Sequence, residues 1–470
     1  MSDELPKGWA SAPLVELAEI NPRHPKGLDD SMPISFVRMA AVSESKPQFD
    51  SLEVRTLGEV RKGFTHFAEG DVVFAKITPC MENGKGAVAT GLQNGIGCGT
   101  TELHVIRPLG GIDSHYVYRF LAQSSVRRAA KENFTGTAGQ ARVPTSFIEE
   151  LELPLAPLAE QRRIVVKLEK LLGQVDACQQ RLEKMPTLLK RFRQSVLAAA
   201  CSGRLTADWR EENAQESSCL TTMMETRPLP VIAEDEPLFD VPQSWKWFRL
   251  GSLAVFINGD RGKNYPNKSE YVSTGIPFIN AGHILTDGTL CSESMYYLTR
   301  EKFNSLRSGK IKTGDLLYCL RGTLGKTAIV DVLAEGAIAS SLIIVRVSDD
   351  LHRKFAFYFL TSRFGMELVQ RFDNGSAQPN LSADSLKHYV IPLPPIAEQQ
   401  EIVRRVEGLF ALADQLELRL KAAASRVCGI TPSLLARAFA GKLVPQDPTD
   451  EPAEKLLERI KSKGKSHATQ

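Results

Sequence analysis

The sequence predicts an α+β protein: two similar mixed α/β domains separated by a long antiparallel two-helix coiled coil and related by an internal pseudo-twofold repeat. Three observations carry this. PLAPLAEQRRIVVKLEKLL at 154–172 returns as PLPPIAEQQEIVRRVEGLF at 392–410, an offset of 238. RQSVLAAACSGRL (193–205) returns at the same offset as TPSLLARAFAGKL (431–443). Each copy also carries a sustained heptad of apolar residues. Self-similarity of this kind is the signature of a duplicated architecture.

The repeat divides the chain into a first domain at 1–153, a first helix at 154–206 and a linker at 207–241. A second domain follows at 242–390, then a second helix at 391–444 and a tail at 445–470. The domain openings match, LPKGWASAPLVEL (5–17) with VPQSWKWFRLGSL (241–253), which aligns Trp9 with Trp245 as core or domain-closing aromatics. Inside the domains, FAEGDVVFAKITPCMENGKGAVA (67–89) matches IKTGDLLYCLRGTLGKTAIV (311–330). Gly-Asp before an apolar run is a turn entering a strand. Each segment therefore reads as strand–turn–strand, with three extra residues at the first tip. The Gly325-Lys326-Thr327 triplet sits in this element. A phosphate loop needs glycine five positions before Gly325 and a helix after the lysine; Leu320 and a strand-like Thr-Ala-Ile-Val occupy those places.

In the helices, apolar residues fall at Ile164, Leu168, Leu171, Val175, Cys178, Leu182, Met185, Leu189, Phe192 and Val196, in alternating steps of four and three. Adding 238 gives Ile402, Val406, Leu409, Ala413, Leu416, Leu420, Ala423, Val427, Ile430 and Leu434. This is a coiled-coil seam. Prolines open both helices at 157 and 394–395. Gly203 and Gly441 end them. Pro186 and Pro432 are expected to kink them without ending them. A helix of about 46 residues makes a rod of about 69 Å. Antiparallel pairing would place a globular domain at each end. The linker carries nine acidic and two basic residues, with prolines at 228, 230 and 237, and reads as a solvated connector. The final KSKGKSH (461–467) reads as a frayed tail.

Net charge is +3, which does not by itself argue for nucleic acid. The eight cysteines form no CxxC pair and the eight histidines are dispersed, so neither disulfides nor a metal site is expected. No apolar run of about 18 residues suggests a membrane span, and the N-terminus lacks a signal-peptide pattern. A reduced, cytoplasmic protein is expected.

The twice-used PLAPLAEQRRIV and PLPPIAEQQEIV resemble the specificity subunits of type I restriction–modification enzymes. So do LLKRFRQSVLAAACSGRLTADWR and LLARAFAGKLVPQ after the helices, and the LPKGW and VPQSWKWFRL openings. The resemblance implies two target-recognition domains, each reading half of a bipartite DNA site. It also implies a helical spacer that docks two methyltransferase subunits, with motor–nuclease subunits joining them. It implies no catalysis in this chain and no cofactor of its own; S-adenosylmethionine and ATP with magnesium belong to partner subunits. The sequence is compatible. It has no Asn/Asp-Pro-Pro-aromatic run, Leu393-Pro394-Pro395-Ile396 being the nearest, no Pro-Asp dipeptide and no complete Walker A motif.

Reading DNA needs cations on phosphates and side chains at base edges, with Arg and Lys suited to guanine and Asn and Gln to adenine. Domain one offers Lys76, Thr78 and Lys85 at the turn, and Gln140 and Arg142 in TGTAGQARVP. Domain two offers Arg321, Thr323 and Lys326 at its turn, Gln378 and Asn380 in NGSAQPNLS, and Arg261, Lys263, Asn264 and Tyr265 in NGDRGKNYPNK. The two sets differ, as two half-sites require. Two domains on one face of a duplex should lie about one helical turn, about 34–36 Å, apart. A target of two short blocks with an unspecified gap is expected. Two other readings stay open at this stage: a stand-alone DNA-modifying enzyme with a cryptic site, and a duplicated protein-binding scaffold.

Overall fold

The computed structural model describes residues 5–44, 46–137, 141–213, 232–233, 236–373 and 380–467. The chain divides into two compact units, one of Met1–Glu183 with Lys421–Gln470, the other of Lys184–Leu420.

In the first unit, β1 (Ala10–Pro13) pairs antiparallel with β10 (Glu152–Leu155) and ties the start of the domain to its end. Between them lie two sheets. The inner one has the order β2 (Ala18–Ile20), β9 (Leu103–Pro108), β6 (Val72–Ala75), β7 (Gly86–Val88), all antiparallel. The outer one has the order β4 (Glu53–Thr56), β3 (Pro33–Val37), β8 (Ile96–Gly99), β5 (Thr65–Ala68), with β3 and β8 parallel. Strand β6 alternates as its period of two demands. Val72 and Phe74 enter the main core under the helices, while Val73 and Ala75 enter the core between the sheets.

The second unit repeats this plan. β11 (Lys246–Arg249) pairs with β19 (Val390–Leu393). The inner sheet runs β12 (Ala254–Asn258), β18 (Leu342–Val347), β15 (Leu316–Cys319), β16 (Thr327–Ile329). The outer sheet runs β14 (Tyr296–Leu298), β13 (Ile276–Ile279), β17 (Ala337–Ile338), again with one parallel pair. The Gly-Lys-Thr triplet thus joins antiparallel strands β15 and β16.

Two helices of 44 residues, Leu158–Cys201 and Ile396–Phe439, run continuously through Pro186 and Pro432. Gly203 and Gly441 follow them with φ of 76° and 65°, the left-handed geometry that glycine tolerates. In the first unit the early part of the first helix (Ile164, Leu168, Leu172) shares a core with the late part of the second (Leu435, Ala438, Phe439). In the second unit the late part of the first helix (Val196, Leu197, Ala200) shares a core with Ile402, Val403 and Val406. There Arg193 pairs with Asp414 and lies 5.5 Å from the Phe410 ring centroid, while Arg405 reaches the Leu205 carbonyl and Asp208. Rising numbers on one helix meet falling numbers on the other, so the helices are antiparallel.

The seam holds in part. Ile164, Leu168, Val175, Leu189, Ile402 and Val406 are buried, and Leu171, Leu182, Leu409 and Leu420 are half-buried. Leu416 and Ile430, however, are 41% and 39% exposed, and Cys178 and Met185 are exposed as well. A heptad drifts about 20° per repeat on a straight helix, so a strict four–three ladder leaves the packed face midway along.

The repeated Ala-Glu-Gln is the keystone of each domain. The buried Glu160 carboxylate accepts the Trp9 indole N–H at 3.0 Å, and Glu398 accepts that of Trp245 at 2.8 Å. Gln161 accepts the Asp113 N–H and donates to the Ala156 carbonyl. Gln399 accepts the His352 N–H and donates to the Asp350 and Pro394 carbonyls. Each pair bonds the helix start to the domain opening and to the loop after the long inner strand.

Two readings of connecting segments need correction. The tail contains a helix, Ala453–His467, whose Ala453, Leu456 and Ile460 are buried on the first unit. These apolar positions, three and four apart, form a narrow stripe among lysines and glutamates, easily taken for a charged tail. Of the linker, Ala207–Glu212 is helical, Glu236 pairs with Arg249, and Phe239 packs on Trp247 and Phe364. Its residues 214–231 and 234–235 lie outside the described residues.

Candidate nucleic-acid interface

Each strand–turn–strand element stands on the same base. Gly70 and Gly314 turn with φ of 84° and 93°. The next residues, Asp71 and Asp315, are buried and make two-pronged ion pairs with Arg107 and Arg346, all four bonds at 2.7–2.8 Å. Each aspartate also accepts a backbone N–H, from Ala68 or from Lys312. The aspartate bonds raise both guanidinium pKa values above the ordinary arginine range.

From this base the chain brings together segments that are far apart in sequence. In domain one, Lys76 N–H donates to the Glu102 carbonyl, Val143 N–H to the Lys76 carbonyl and Thr78 N–H to the Ala141 carbonyl. Ile77 and Arg142 form a β-bridge. Lys76, Thr78 and Arg142 therefore share one edge, and Glu102 holds Arg142 through two 2.8 Å bonds. In domain two the equivalent bridge joins Arg321 to Asn380, and Leu381 N–H donates to the Leu320 carbonyl. Arg321, Thr323 and Asn380 are exposed there. Gln140 and Gln378 lie outside the described residues.

Other candidates have different surroundings. Lys85 turns inward and donates to the Met39 and Val42 carbonyls, and Lys326 donates to the Ala281 carbonyl. Both lysines clamp a neighbouring loop, where an outward contact with DNA was expected. The cause is the turn following the strand, which points the residue before β7 or β16 back over the sheet. Tyr265 packs edge-on to Phe278, so it is partly a core residue. Arg261 and Lys263 are exposed and Asn264 is half-buried, around the short turn Gly262–Asn264.

Sequence reasoning missed Asn21, Arg23 and Thr101. With Lys76 and His66 they line a hollow of about 300 Å³. Arg23 stands three residues beyond the end of β2, as Arg261 stands three beyond the end of β12. That shared position, with the Ile-Asn that precedes it in both domains, was the available signal, blurred because one residue separates Asn21 from Arg23 and two separate Asn258 from Arg261.

The family model for the type I restriction modification DNA specificity domain matches residues 6–186 and again 242–425. The EcoEI specificity subunit of Escherichia coli is 30% identical over 490 residues, covering 89% of this chain and 80% of that protein. The EcoKI specificity subunit of Escherichia coli strain K12 is 31% identical over 378 residues, covering 76% and 73%. Among solved structures, the HsdS subunit from Thermoanaerobacter tengcongensis aligns with a TM-score of 0.64 at 20% identity, covering 93% of this chain and 98% of that one. A chain from a study of the assembly and conformational transition of a type I R-M system aligns at 0.67 and 21%, covering 93% and 99%. At these identities the structures speak to fold. No helix among the described residues is long and apolar enough to cross a membrane.

Proposed function

The chain belongs to the type I restriction modification DNA specificity family, and from that premise we propose that it selects the DNA target of such an enzyme, each domain reading one half of a bipartite site. One observation carries this reading. The two domains hold equivalent bridged loop edges on equivalent Asp–Arg bases, yet present Lys76, Thr78 and Arg142 at one and Arg321, Thr323 and Asn380 at the other. A common frame with unlike polar edges suits two domains doing one task on two base sequences.

The long helices set the gap between the half-sites and dock two methyltransferase subunits. In support, Leu188, Phe192, Leu412 and Leu418 are exposed on their surfaces, in a unit whose other apolar residues are mostly buried. Motor–nuclease subunits complete the assembly, which works in the cytoplasm. The chain performs no chemistry itself. Methyl transfer to an adenine requires the base to leave the stack for a pocket; that pocket, S-adenosylmethionine, and ATP with magnesium belong to the partners.

The test is a graft. Residues 18–150 are replaced by those of a relative, and methylated adenines are mapped genome-wide in a host carrying the assembled enzyme. One half of the methylated motif should change while the other half and the gap persist. Alteration of both halves, or of neither, defeats the reading.

A further inference from the structure

Domain one assembles three metal-ligand side chains from segments far apart in sequence. His66 and Cys98 are directly opposed on antiparallel strands β5 and β8, so they project from one face of the outer sheet as cross-strand neighbours. His24, in the loop after β2, closes over that face. Its ring centroid lies 4.5 Å from that of His66, and its Nε2 lies 3.7 Å from Cys98 Sγ. One ligand atom from each residue falls within 4.8 Å of the other two. We propose that His24, His66 and Cys98 form a binding site for one zinc-class divalent cation, with water completing the coordination.

The geometry suits the ion. Tetrahedral zinc, with nitrogen at about 2.0–2.1 Å and sulfur at about 2.3 Å, sets its nitrogen and sulfur ligands about 3.5 Å apart. The His24–Cys98 separation is within a few tenths of that. His66 Nε2–H donates to the Arg61 carbonyl at 2.9 Å, which fixes the tautomer and leaves Nδ1 with the lone pair. Among the described residues, Nδ1 faces a long 3.3 Å contact from the His24 N–H. His24 Nε2 lies 3.0 Å from the Gly97 carbonyl, a bond that coordination exchanges for the metal. The Cys98 S–H bond breaks as the sulfur–metal bond forms, and its proton leaves to solvent. Burial lowers both imidazole pKa values, His24 to about 4, and raises the Cys98 thiol to about 12, so loss of the thiol proton has to be driven by the metal bond. His66 also lines the hollow formed by Asn21, Arg23 and Lys76.

The second domain supplies an internal control. Its parallel pair Phe278–Ala337 stands where domain one has Phe36–Cys98, and a Lys310–Ala337 bridge stands where domain one has His66–Cys98. Lysine and alanine at those register positions make no site, so one ion per chain is expected. A bound ion would pin the loop carrying Arg23 to the sheet.

The experiment titrates the full-length chain, stripped of metal, with cobalt(II). One equivalent should produce a thiolate-to-cobalt charge-transfer band that zinc abolishes. Cys98→Ala, His66→Gln and His24→Gln should each remove the band. Each should also weaken zinc binding by about 100-fold or more, at least the loss seen when a group supporting a ligand is removed. Cys80→Ala, a half-buried cysteine elsewhere, should keep the band. Melting in EDTA shows which variants fold as wild type. His24→Gln, on a half-exposed loop, serves if the buried substitutions do not. Absence of the band in the wild-type chain, or its survival in a folded ligand variant, overturns the proposal.

Discussion

The two Trp–Glu keystones look alike, but they are loaded differently, and this gives a quantitative prediction. Glu398 is fully buried and accepts three donors: the Trp245 indole at 2.8 Å, the Thr206 hydroxyl at 2.7 Å and the Arg210 guanidinium. Arg210 also lies 5.8 Å from the Trp245 ring centroid. Glu398→Ala leaves a largely buried guanidinium without its counter-charge, a loss of about 3–5 kcal/mol. Glu160 accepts the Trp9 indole, and its other oxygen is buried with no partner among the described residues. Glu160→Ala therefore loses one charged hydrogen bond, about 1.5–3 kcal/mol. At about 2–4 °C per kcal/mol for a unit of this size, Glu398→Ala should lower the melting transition of the second unit by about 6–20 °C. Glu160→Ala should lower that of the first by about 3–12 °C. Glutamine substitution separates the two cases further. Burial raises the Glu160 pKa, so its protonated form is favoured in the fold and stability is lost as pH rises through the folded value. Glu160→Gln keeps an acceptor for Trp9 without a buried charge and should be neutral or stabilising at pH 7, whereas Glu398→Gln should destabilise. Scanning calorimetry of the four variants measures this. Equal shifts for the two alanine variants, or a stabilising Glu398→Gln, would refute the reasoning.

Lys85→Ala should cost stability by freeing the Met39 and Val42 carbonyls, with the methylated motif unchanged; urea denaturation and methylation mapping read the two effects separately. Ile460→Ala, which empties the seat against Gly110, should destabilise the first unit by about 2–5 kcal/mol, seen as a lower denaturation midpoint. The paired Arg404 and Arg405 lower the Glu401 carboxyl to about 2. Its stabilising contribution is thus complete above about pH 4.5 and fades as pH falls toward 2. Glu401→Gln should flatten the acid limb of the stability profile there, and an unchanged limb would show the pairs to be inert.

The duplication, the antiparallel helices and the strand–turn–strand elements were legible because each rests on local pattern: an offset, a heptad, a Gly-Asp turn. What escaped depended on tertiary placement. Lys85 and Lys326 look like tip cations in the sequence, yet the hairpin folds them onto loop carbonyls. Leu416 and Ile430 satisfy the ladder on paper and lose the packed face through helical drift. The stripe Ala453, Leu456, Ile460 was hidden by the charges around it. His24, His66 and Cys98 obey no spacing rule at all, because a cross-strand register and a covering loop bring them together. Arg23 was overlooked because the Leu-Ala and Ile-Asn before it recur in the second domain with different spacing, Ile20-Asn21-Pro22-Arg23 against Ile257-Asn258-Gly259-Asp260-Arg261.

The salt link beneath each hairpin, Asp71 with Arg107 and Asp315 with Arg346, lies below the residues that differ between the two lobes. Structural cost and informational content thus occupy separate storeys of the same element. A library randomised at 76, 78, 321 and 323, leaving Asp71, Arg107, Asp315, Arg346 and the buried Leu320 and Leu324 alone, should consequently yield many intact proteins with altered sequence preference. Such a layout lets a restriction system change its password without rebuilding its lock.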